Sequence, residues 1–200
     1  MEIKTIGTRV AAVCLLMGLS GPGCGSSPSS GPLTATELGV KYKFSPTDIP
    51  GWQVDPDPND TTAFQVLDES TSNNLVRYID GGADAYTNAG CRVTVAQTLA
   101  GPNGEIAGPF YAMDFVTEAQ ATAMFNSKKA DYSASDTIAG FDSSTAIGKA
   151  VNILGTIVSV TVFAHFKAMY FELTLSGFPD QTSFYQGAAQ FLNVLKSKTN

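Results

Sequence analysis

The sequence predicts an α+β domain, a mostly antiparallel sheet with about three helices packed on it. Three observations point there. Thr156 to Phe166 and Met169 to Ser176 are β-branched and aromatic runs separated only by Lys167-Ala168, which reads as a hairpin. Cys91 to Leu99 alternates apolar and polar residues, the period of a strand. Phe184, Ala188, Phe191, Leu192 and Leu195 recur at helical spacing behind Asp180, a good N-cap. The order of strands, helix, hairpin, helix, hairpin, helix belongs to the α+β class.

The elements follow in chain order. Lys41 to Phe44 and Trp52 to Val54 read as short extended pieces on either side of a Pro50-Gly51 turn. Asp55-Pro56-Asp57-Pro58-Asn59-Asp60 is a loop, because prolines at alternate positions exclude a helix. Ala63 to Leu67 is a further strand. From Asn73 to Asn88, the residues Leu75, Tyr78, Ile79, Gly82, Ala83 and Tyr86 fall on one helical face, with Ser72 as N-cap and Gly90 as stop. Asp80-Gly81-Gly82 also fits a turn, and two mid-helix glycines cost ~2 kcal/mol relative to alanine. The helix is preferred.

In the next strand Cys91, Val93, Val95 and Leu99 should share one side, with Arg92, Thr94 and Thr98 on the other. Gly101-Pro102-Asn103-Gly104 turns the chain, and Phe110 to Phe115 returns. Thr117-Glu118-Ala119-Gln120 has the capping-box form, opening a helix to about Ala130 with Ala121, Met124 and Phe125 inward. Thr145 to Val151 is a strand. Within the hairpin, Val158, Val160, Val162 and Phe166 share one face, and Ile157, Phe163 and His165 the other, so this strand is expected to be covered on both sides. Asp180 starts a helix to about Lys196, with Lys196 and Lys198 at its negative end. The arrangement is loosely similar to the Mog1/PsbP-type α/β sandwiches.

The first 32 residues speak to location. Lys4 and Arg9 precede an apolar stretch of ten residues, Val10 to Leu19, too short for the roughly 20 that span a bilayer. Ser20-Gly21-Pro22-Gly23 and Cys24 follow. Residues 1–23 therefore read as a signal peptide, and the stretch resembles a bacterial lipoprotein signal, although Gly21 stands where Leu is usual. The resemblance implies that Cys24 is the lipid-attachment residue. Residues 24–32 then form a flexible Gly/Ser/Pro tether, and residues 33–200 a single domain. Gly25 after the cysteine resembles lipoproteins sorted to the outer membrane, facing the periplasm or the cell surface.

Removing residues 1–23 takes away two basic residues and one acidic, moving the formal charge from −6 to −7. So acidic a domain, with arginine only at Arg77 and Arg92, is a poor partner for nucleic acid. The expected membrane contact is the lipid anchor. Cys91 is the one cysteine left after Cys14 and Cys24, and reads as a small buried hydrophobe.

Asn74-Leu75-Val76-Arg77-Tyr78-Ile79-Asp80-Gly81-Gly82-Ala83-Asp84-Ala85-Tyr86 resembles the hallmark of a family of exported bacterial lipoproteins without assigned activity. Its pattern is Leu, a gap, Tyr-Ile-(Asn or Asp)-Gly-(Gly or Ala)-Ala, a gap, and Tyr. Met113-Asp114 extends the likeness, which covers roughly residues 51–129. The resemblance marks Tyr78, Asp80, Gly81, Gly82, Ala83 and Tyr86 as structural or contact residues and implies no chemistry.

Catalysis finds little support. His165 is the sole histidine, so any Ser-His or Cys-His pair must use it, and it lies mid-strand among aromatics. His165 and Cys91 alone cannot make a zinc site. No phosphate-cradling or dinucleotide glycine motif occurs, and no cofactor is implied. Asp55, Asp57, Asn59 and Asp60 crowd hard oxygen ligands and weakly suggest Ca²⁺, but Asp60 and Val66 stand where an EF-hand needs Gly and Glu. Asp80 and Asp84, one helical turn apart, are either an acid/base pair or turn and surface residues, the latter preferred.

The expected function is a non-catalytic cell-envelope lipoprotein that binds an unknown protein or small-molecule partner. The glycine-marked helix and the sheet face beside it are its expected contact region. The alternative is a small-molecule or Ca²⁺ carrier, and a hydrolase on paired carboxylates comes third.

Overall fold

The computed structural model describes residues 32–56, 63–69, 83–132, 136–142, 144–151 and 155–200. They form the α+β fold. Four helices, α1 (Ala35–Tyr42), α2 (Ala83–Asn88), α3 (Glu118–Asp131) and α4 (Gln181–Thr199), accompany seven strands. The strands are β1 (Gln53–Val54), β2 (Phe64–Asp68), β3 (Cys91–Ala100), β4 (Ile106–Phe115), β5 (Thr145–Val151), β6 (Ile157–Phe166) and β7 (Met169–Ser176). All pair antiparallel in one sheet, in the order β1-β3-β4-β7-β6-β5. β2 also pairs with β3, beside β1, so the two short strands share one edge.

Both faces of the sheet are covered. α1 and α4 bury one face, where Val95, Leu99, Phe110, Val160, Val162, Phe171 and Leu173 meet Phe184, Phe191 and Leu195. α2 and α3 cover the other, where Met113, Phe115, Phe163 and Tyr170 meet Tyr86, Met124 and Phe125. The inward residues expected for the two long helices are buried: Ala121, Met124 and Phe125 in α3, and Phe184, Ala188, Phe191, Leu192 and Leu195 in α4. The Thr117/Gln120 capping box forms as the sequence predicts, and Asp180 accepts from the Ser183 amide at 2.8 Å. Lys167 takes φ 54° at the tip of the β6–β7 hairpin.

Three expectations are corrected. The piece from Lys41 to Phe44 is not a strand. Lys41 and Tyr42 end α1, and only Lys43 and Phe44 are extended behind it. Thr34 and Glu37 form a capping box, each side chain bonding the other's end of the first turn, and this reciprocal cap starts the helix.

Cys91 does not share a face with Val93 and Val95. A register shift between Cys91 and Val93 turns it to the α3 side, where its Sγ lies 3.5 Å from Thr94 Oγ1. An extra residue on one strand reverses the alternation there. Finally, Val158 is half exposed while Ile157 packs on the α4-side core, so the alternation expected for β6 fails at its first turn. The predicted helix from Asn73 to Asn88 is present as α2 over its last six residues, and residues 70–82 lie outside the described set.

Candidate ligand groove

α1 approaches β2 more closely than side chains normally permit. A β-carbon on Gly39 would stand 2.6 Å from Val66 Cγ2, so glycine is what lets the helix rest on the strand. Lys43 reaches the other end of the strand, its Nζ lying 4.6 Å from the Phe64 ring centroid. Helix and strand therefore run antiparallel. Between them opens a groove of about 710 Å³, walled by Ala35, Gly39 and Val40 on one side and by Phe64 and Val66 on the other. Its ends are polar, with Lys43 beside Phe64, and Thr34, Thr36 and Asp68 at the opposite end.

The position of α1 is set by one buried amide. Gln97 of β3 is 2 % exposed; its Nε2 donates to the Tyr42 carbonyl at 2.8 Å and its Oε1 accepts from the Phe44 amide at 3.2 Å. Both groups belong to the end of α1, which leaves its last carbonyls without helical partners. Tyr42 adds a second tie, its hydroxyl lying 3.0 Å from Thr199 Oγ1 of α4, which itself donates to the Leu195 carbonyl. Lys198 closes a third, bonding the Lys41 carbonyl at 3.1 Å and Asp48 at 3.0 Å. The wall of the groove is thus pinned to both sheet and helix.

On the opposite face, the last residue of the sequence motif finds its role. Tyr86 of α2 is buried, and its hydroxyl donates to Glu172 Oε2 at 3.2 Å. Tyr170 donates to the same oxygen at 3.0 Å. Burial first, and then the negative charge of Glu172, push both phenols well above the ordinary tyrosine value. They remain neutral donors. Ala83 lies in the first turn of α2, Asp84 follows it, and the Asp55 amide donates to the Thr98 carbonyl at 2.8 Å. Cys24, Asp57, Asn59, Asp60, Tyr78, Asp80, Gly81 and Gly82 lie outside the described residues.

The reactive residue types are held in quiet surroundings. Burial pushes the Cys91 thiol up to about 11, which keeps it protonated near neutrality. His165 Nδ1 lies 3.4 Å from Thr122 Oγ1 and the ring packs 5.0 Å from that of Phe125. Burial lowers its pKa, against the opposing pull of Glu118 and Asp142 across a polar pocket of about 350 Å³. Asp114 pairs with Arg92 at 2.5 Å, and burial still raises its carboxyl above the usual range. Among the described residues, no three His, Cys, Asp or Glu side chains are grouped to hold a metal ion. No helix among them is long and apolar enough to cross a membrane.

Sequence reasoning missed the groove. Thr34-Ala35-Thr36-Glu37 carried the signal for α1, a capping box just behind the Gly/Ser/Pro stretch. Nothing in one sequence marks Gly39 as a contact with Val66. The chain matches no family model, no curated protein and no solved structure.

Proposed function

We propose that this protein is a non-catalytic lipoprotein of the cell envelope, tethered through Cys24, whose folded domain binds a small ligand in the groove between α1 and β2. The groove is the observation that carries the reading. Its volume, about 710 Å³, falls within the ~300–1,000 Å³ of small-molecule sites. An apolar middle with polar groups at both ends suits an elongated ligand held by its flanks and oriented by its ends. The protonated thiol of Cys91 and the packed ring of His165 support a binding role over nucleophilic chemistry. Within this reading the Tyr86–Glu172 contact is structural, securing α2 to the sheet.

The test is mass spectrometry of the protein released from membranes, under native conditions and again after solvent extraction. The expected result is an acylated N-terminal Cys24 and a non-covalent adduct that extraction removes. Val40→Asp and Phe64→Ala should abolish the adduct, while Val158→Asp, on the far side of the sheet, should keep it. An adduct indifferent to both groove substitutions would place the ligand elsewhere and end the assignment.

A further inference from the structure

The outer side of α1 carries apolar and basic side chains together. Two aliphatic side chains stand in solvent here: Leu33, just ahead of the N-cap, is 41 % exposed, and Val40, in the last turn of the helix, is 77 % exposed. Lys43 caps the end of the helix, where among the described residues it meets the Phe64 ring and no carboxylate. The C-terminal end of α4 adjoins the end of α1, since Lys198 bonds the Lys41 carbonyl. Lys167 bonds the last carbonyls of α4, and Lys196 shares its pocket. Five of the ten basic residues that follow Gly23 therefore collect at this end, on a chain of formal charge −6.

Acidic groups offset much of that charge, and Asp68 lines the groove together with Lys43. Asp48 pairs with Lys198, and Glu118 and Asp142 line the pocket of Lys167 and Lys196. Glu37 shares the outer face of α1, where its carboxylate accepts from the Thr34 amide and hydroxyl.

We infer that α1 and the adjoining end of α4 form the surface on which the domain rests against an anionic bilayer. The occupant follows from where the chain leaves the domain, an argument that rests on Cys24 being the lipid anchor. Only eight residues, 25–32, separate Cys24 from Leu33, and the nine Cα–Cα steps between them reach at most ~30 Å when fully extended. The start of α1 thus cannot leave the neighbourhood of the bilayer. So short a tether supplies a local concentration on the order of millimolar, at which a weak contact is occupied. Exposed aliphatics beside ammonium groups are the chemistry that headgroups and upper acyl chains accept. In this orientation the groove, which shares Val40 and Lys43 with the docking face, opens at the membrane surface.

The mature, lipid-bearing protein is reconstituted into phosphatidylethanolamine/phosphatidylglycerol vesicles containing a headgroup-attached nitroxide quencher. A thiol-reactive fluorophore is placed at Val40→Cys or at Val158→Cys. Cys91 is buried, so the introduced cysteine is the labelled one. The probe at position 40 should be quenched several-fold more than that at position 158. Lys41→Glu with Lys43→Glu should remove the difference, as should molar salt, where the screening length falls to about 3 Å. Equal quenching at the two positions overturns the docking face. Labelling of the unsubstituted protein would expose a free Cys24 thiol and overturn the anchor itself, so the two failures are told apart.

Discussion

Replacing Gln97 by leucine keeps the side chain's size and removes both hydrogen bonds that hold the end of α1. The Tyr42 carbonyl and the Phe44 amide would then be buried without partners, because Tyr42, Phe44 and Gln97 all lie in the interior. Each orphaned group costs roughly 1–3 kcal/mol, so the pair should cost about 2–6 kcal/mol. For a domain of this length, with a melting shift of roughly 2–4 °C per kcal/mol, the melting temperature should fall by about 4–24 °C.

Trp52 is a natural reporter, since its ring packs 4.9 Å from that of Phe191 and 6.2 Å from that of Phe178. Urea titration followed by its fluorescence gives the free energy directly. Hydrogen exchange at the Phe44 amide should quicken before global unfolding, because α1 is released first. Thr161→Val, which removes a part-buried hydroxyl contact of 3.3 Å to Thr174, serves as the mild control. If Gln97→Leu melted no lower than that control, the claim that this amide fixes the groove wall would be wrong.

Two further outcomes test the same structure. Gly39→Ala should destabilise despite alanine's ~1 kcal/mol advantage within a helix, because the added methyl meets the stiff, β-branched Val66. Combining it with Val66→Ala should restore much of the loss, a coupling that chemical denaturation of the four proteins would measure. The second concerns pH. The pKa of His165 is lower in the folded chain than in the unfolded one, first because of burial. The unfolded state therefore takes up the proton first, and stability should decline as pH falls through about 6.5 toward the folded value. Melting temperatures at pH 7.5 and 5.5 should show that slope in the wild type and a shallower one in His165→Gln.

The parts of the fold that were readable share a cause: their signals are local. Thr117 and Gln120 cap α3 within one turn, the α4 stripe repeats along one helix, and the β6–β7 hairpin needs two adjacent runs. The Cys91 side was misassigned because a bulge adds a residue without any sequence mark. α1 was missed because Tyr42, Lys43 and Phe44 alternate like a strand, while the capping box eight residues earlier carries the decisive signal. The groove was beyond reach. It depends on Gly39 meeting Val66 and on Gln97 meeting Tyr42, contacts across long stretches of chain that no periodicity encodes. Tyr86 was singled out through its motif, yet its partner Glu172 lies 86 residues away.

The strand order carries a consequence for how the chain acquires its shape. β7 is last in sequence among the strands, yet it sits between β4 and β6 and joins the two halves of the sheet. Until residues 169–176 arrive, the early strands and the β5–β6 pair have no shared partner, and neither long helix has a completed surface to lie on. A chain delivered N-terminus first, from a ribosome or through a narrow pore, completes its sheet late. A delay of this kind would suit a polypeptide that had to cross a barrier unfolded.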